Sequence, residues 1–74
     1  MPKLPQLSWR EVLRELEKFG YRVTRQKGSH MTLKNFSAIN KKPLTLPKHK
    51  IIGKGLLMKI LRDAKIDSDI FRQL

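Results

Sequence analysis

The chain has two imidazoles, His30 and His49. His30 closes the run Gly28-Ser29-His30 within "RQKGSHMTLKN", Arg25 to Asn35, with Arg22, Arg25 and Lys27 before it and Lys34 after it. Imidazole changes charge near neutral pH, so a histidine set among cations is equipped to move a proton beside an anion. Cleavage of RNA without a cofactor needs little more. A base takes the proton of a ribose 2′-hydroxyl, that oxygen attacks the neighbouring phosphate, and cations stabilise the charge that develops. His30 is then the base or the matching acid. Arg22, Arg25 and Lys27 supply positive charge, and Ser29 or Thr24 orients the ring or the phosphate. The plainer reading makes His30 a surface residue on a strand.

His49 lies in the connector "KHKIIGKG" with Lys48, Lys50 and Lys54, where a phosphate contact or a loop role suits it better than that of partner acid. Lys48, Lys50 and Lys54, together with Lys41 and Lys42, form either a solvated charge run or an unspecific phosphate track. The two histidines stand at no tight ligand spacing, and the six carboxylates fall mostly on helix surfaces or near the carboxyl end, so a metal-dependent nuclease is disfavoured. No metal and no cofactor are expected.

Seventeen Lys and Arg against six Asp and Glu give a formal charge of +11. Such an excess repels itself without an anionic partner, and solubility is ordinarily reached with mixed signs at lower net charge. Nucleic acid is the expected partner. A membrane surface is the competitor, but neither long helical segment sets its cations opposite a broad Trp/Phe/Leu face. Cysteine is absent, which excludes a disulfide scaffold and a Cys-based zinc site. "MPKLPQLSW" has no long apolar run of the kind a signal peptide or membrane span requires, so a cytoplasmic location is expected.

The elements that must hold these residues can be read from spacing. At 74 residues the chain has room for one modest core. Ser8 and Glu11 stand in the S-x-x-E relation of a capping box, with Leu7 and Val12 placed as a hydrophobic staple. Trp9, Val12, Leu13, Leu16 and Phe19 then recur at helical spacing until Gly20 ends the helix. "YRVTR" and "SHMTLK" alternate as two half-buried strands, with Tyr21, Val23, Met31 and Leu33 turned to one side. Placing all four on one core face favours an odd loop, Gln26, Lys27 and Gly28, which sets His30 across from Thr24. "PLTLP" reads as a short edge strand bounded by Pro43 and Pro47. Leu56, Leu57, Ile60, Leu61 and Ala64 form a second helical stripe, and "DSDIFRQL" a short last turn capped by Asp67 or Ser68.

The expected fold is α+β, helix, three antiparallel strands, helix, with both helices on one sheet face and a short C-terminal helix following. The outer face then gathers Arg22, Thr24, His30, Thr32, Lys34 and Thr45. Trp9 and Tyr21 fall on core faces. Phe36, in the polar loop after the second strand, either stacks on a base or folds back onto the core.

The segments "LEKFGYRVTRQKGSH", "LPKH" and "KGLLMKILRDAKI", in that order and spacing, resemble the HicA toxins, small bacterial and archaeal mRNA interferases with a double-stranded-RNA-binding-domain-like fold. The likeness covers nearly the whole chain and takes residues 1–74 as a single HicA-like domain. It implies a toxin of a type II toxin-antitoxin pair that cleaves mRNA through the histidine of the Gly-Ser-His motif, here His30. It also implies a chain that is monomeric alone and is neutralised in a hetero-oligomer with a HicB-type antitoxin. On this reading the RNA contacts are Arg22, Arg25, Lys27, Ser29, Lys34, Lys48, His49 and Lys50. A non-catalytic RNA-binding module of the same fold is the alternative, and a DNA-binding adaptor a third.

Overall fold

The computed structural model describes residues 7–38 and 40–72. The stretch before Leu7, most of the segment taken as lacking a leader, lies outside them, as do Ile39 and the last two residues. Helix α1 spans Trp9–Lys18, strands β1, β2 and β3 span Tyr21–Lys27, His30–Asn35 and Leu44–Pro47, and helices α2 and α3 span Lys54–Ala64 and Ser68–Arg72. The architecture is α+β, with one antiparallel sheet in the order β1-β2-β3.

Helix α1 starts where its sequence dictates. The Ser8 backbone N–H donates to Glu11 Oε1 at 3.0 Å, and the Glu11 N–H donates to Ser8 Oγ at 3.3 Å, so the capping box is closed from both sides. Losing such a cap typically costs about 1 kcal/mol. The Ser8 hydrogen bonds, the backbone one first, hold the Glu11 carboxyl below its usual range. Gly20 follows the C-cap Phe19 with φ +97, and its N–H donates to Glu17 O at 3.1 Å. A β-carbon there would also run into the Ser37 side chain, whose Cβ stands 2.6 Å away.

The inner face of the sheet contributes Met31, Leu33, Leu44 and Leu46. Val12 and Leu16 of α1 and Leu57, Ile60, Leu61 and Ala64 of α2 close over it in one cluster that also takes in Tyr21, Ile52, Ile66 and Phe71. Both helices therefore cover the same side, and the opposite side, with His30, Lys34 and Thr45, is exposed. Val23 was expected in the core but is 39% exposed, although Tyr21 on the same strand is fully buried.

Helix α2 begins two residues before its apolar stripe, with Gly53 as an N-cap that offers no side chain. Its far end is closed from a distance: Lys41 Nζ donates to Ala64 O at 2.6 Å and to Lys65 O at 3.3 Å. Lysine at a helix C-terminus satisfies carbonyls that have no partner within the helix. Lys42 and Lys59 pair with Asp63 at 3.5 and 3.4 Å. Lys41 and Lys42 are thus occupied by α2 and stand apart from the proposed phosphate track. At α3 the choice of cap falls to Asp67, whose Oδ1 accepts the Asp69 N–H at 2.8 Å.

Candidate nucleic-acid interface

The register between β1 and β2 departs from the expected one. The partners are Arg22↔Lys34, Val23↔Leu33, Arg25↔Thr32, Gln26↔Met31 and Lys27↔His30, with Thr24 as an extra residue between Val23 and Arg25. The turn is Gly28-Ser29, not Gln26-Lys27-Gly28. Gly28 carries φ +58, and Ser29 has no positive φ, the pattern of a two-residue type II′ hairpin with glycine first. The odd residue that parity demanded sits in the strand as a β-bulge and not in the loop. His30 consequently faces Lys27, and Thr24 donates its hydroxyl to Thr32 O at 3.3 Å instead of orienting the imidazole.

The bulge decides which side chains surround His30. Side chains alternate along a strand, so one extra residue moves everything beyond it to the other face. Were Thr24 paired in the ladder, Arg25 and Lys27 would turn toward the helices. With Thr24 bulged out, Arg22, Arg25, Lys27, His30 and Lys34 share the outer face, and all five are exposed. Two of the cross-strand pairs on this face, Arg22 with Lys34 and Lys27 with His30, set basic residues opposite each other. Arg22 and Lys34 thus place like charges opposite each other, which is destabilising without counter-charge. Arg22 relieves its own case in part by turning its guanidinium to Tyr21 O at 2.8 Å and Glu17 O at 3.1 Å.

Ser29, Lys48, His49 and Lys50 gather at the hairpin end of the sheet. Pro47 is the β3 partner of His30, and one step further the Lys48 N–H donates to Ser29 O at 2.7 Å. The connector continues to α1, where the Trp9 N–H donates to His49 O at 3.2 Å, and then pairs Ile52 with Leu7. The result is one backbone rim from the turn to the start of α1. Phe36 is 70% exposed at the opposite end of β2. Among the described residues no group hydrogen-bonds the His30 imidazole, and no three His, Asp or Glu side chains stand close enough to hold a metal. A cleft of ≈ 170 Å³ between β3 and α2, lined by Lys42, Pro43, Thr45, Leu56, Lys59 and Asp63, does not include His30.

Sequence reading missed Trp9 as part of this rim. It is half-buried against the core, and both Lys48 Nζ and Arg10 Cζ lie over its ring, 4.8 and 5.1 Å from the centroid. Cation and aromatic are far apart in sequence, and only the connector's path brings them together.

Fold and face together define a small basic α+β protein with an exposed histidine at the mouth of a cationic hairpin. Residues 9–66 match the family described as the HicA toxin of bacterial toxin-antitoxin systems. The chain belongs to that family, which gives it a toxin role and an antitoxin partner. No curated protein matched the chain. Among the described residues no helix is long and apolar enough to cross a membrane.

Proposed function

We propose that the chain is an endoribonuclease that cleaves mRNA without a metal, with His30 as its proton-transfer group, and that a HicB-type antitoxin silences it by covering the outer face. The observation that carries this reading is the Thr24 bulge, which turns Arg25 and Lys27 onto the face of His30. An RNA backbone laid along β1 and β2 meets Lys34, Arg25 and Lys27 as phosphate contacts, with His30 at the hairpin end.

The reaction follows from those groups. A base, His30 or water, removes the proton from the 2′-hydroxyl, and the 2′-oxygen forms a bond to phosphorus. The bond from phosphorus to the 5′-oxygen breaks, and that oxygen takes a proton from the matching acid. The products are a 2′,3′-cyclic phosphate and a 5′-hydroxyl. Lys27, the cross-strand neighbour, is placed to stabilise the charge on the phosphoryl oxygens.

One observation favours the rival, a non-catalytic RNA-binding module: no described residue orients the imidazole by a hydrogen bond. Incubating end-labelled RNA and DNA of the same sequence with purified protein in EDTA separates the two. Cut RNA with cyclic phosphate ends beside intact DNA supports the nuclease, and RNA that is bound but uncut supports the module.

A further inference from the structure

Trp9 is the single tryptophan of the chain, and what surrounds it is unusual for a packing residue. Two cations, Lys48 and Arg10, lie over its ring, and Lys48 is half-buried. Neither Lys48 nor Arg10 forms an ion pair with a carboxylate among the described residues. The ring is what holds them. A cation over an indole is attracted by roughly 0.5 to 1 kcal/mol at exposed sites, enough to fix a long side chain but not to cancel its charge. The backbone adds direction: the Lys48 N–H is bonded to Ser29 O in the hairpin turn, and the Trp9 N–H to His49 O.

We propose that Trp9 is a positioning residue for RNA. Its ring presets Lys48 and Arg10 as a pair of phosphate contacts on the helix side of the rim, where a strand passing His30 on the outer face continues around the end of the sheet. This rests on the RNA-directed reading above. It adds α1 to the binding surface and gives Arg10 and Trp9 roles that the Gly-Ser-His segment does not suggest.

The test uses the full chain carrying His30→Ala, so that the probe, a short single-stranded oligouridylate, stays intact. Binding of a fluorescein-labelled form of the probe is read by anisotropy in every variant at several salt concentrations, and Trp9 emission is followed as well in the proteins that keep the ring. Emission should change and saturate with binding. Trp9→Leu keeps apolar bulk but removes the ring, and should weaken binding roughly two- to fivefold, the worth of a lost cation-ring contact. It should also lower the salt slope by up to about 1.4, two contacts at about 0.7 each. Trp9→Phe should restore most of both losses. Lys48→Met, which leaves the core untouched, should lower the slope by about 0.7. A merely structural tryptophan would change melting temperature and leave the slope alone. Parent affinity and slope in both Trp9→Leu and Lys48→Met would overturn the inference while leaving the nuclease reading standing. An oligouridylate that fails to bind the Trp9-containing protein at all would sink the RNA reading itself.

Discussion

Lys27 and His30 face each other across the mouth of a two-residue turn, on the outer side of the sheet, because Thr24 is bulged out of the ladder behind them. Arg25→Gln together with Lys27→Gln should therefore remove two outer-face charges and leave the bulged ladder in place. The protein should keep its circular dichroism spectrum but bind RNA more weakly, with a salt slope reduced by up to about 1.4 for two lost phosphate contacts. An unchanged slope in the folded double variant would mean that these two cations do not touch phosphate.

Gly28 provides the turn that sets this pair. A β-carbon there would meet nothing within 4 Å, so a substitution is penalised through the backbone alone, by φ +58. Gly28→Val should cost about 1 to 2 kcal/mol in denaturant unfolding, through the clash of its β-carbon with the neighbouring backbone at positive φ.

At Gly20 the penalty is double. φ +97 disfavours any side chain, and the new atom collides with Ser37. Gly20→Ala should destabilise by about 2 kcal/mol or more. Adding Ser37→Gly should recover the steric part only, an interaction energy that a double-mutant cycle reads directly.

Local signals were legible in the sequence where both partners are close together. The Ser8–Glu11 box, the stripe from Leu56 to Ala64 and the pairing of Gly20 with a helix end all emerged as expected. The register did not, although its evidence was present: Gly-Ser is itself a two-residue hairpin signal, and with Val23 and Met31 on one face it requires an extra residue within a strand. What sequence could not show was contact between distant segments. Lys41 closing α2 and Lys48 meeting Trp9 depend on how the connector and the β2–β3 loop run, and neither has a spacing to read. The same lysines looked equivalent in a charge run and proved to have different work.

The capping box gives the fold a pH signature. Glu11 is lowered from an ordinary value of 4.5, chiefly by the Ser8 backbone hydrogen bond, so the unfolded chain binds its proton more readily than the folded one. Its contribution is present in full above the unfolded value and is lost as pH falls through the depressed folded value. Melting temperature measured from about pH 6 down to about pH 3 should thus fall less steeply in Glu11→Gln than in the parent, starting from a slightly lower plateau. Parallel curves would place the acid sensitivity elsewhere.

The most direct measurement compares the parent with His30→Ala as nucleases, in EDTA, at matched folding by circular dichroism. The side chain is exposed and unbonded among the described residues, so the variant should fold and should keep most of its RNA affinity, which comes from lysine and arginine. Cleavage should fall by roughly a hundredfold to ten-thousandfold, the usual contribution of a positioned acid or base, and toxicity on expression should disappear with it. If His30→Ala cuts RNA as fast as the parent, the histidine of the Gly-Ser-His hairpin is a surface residue and the proton transfer belongs to another group.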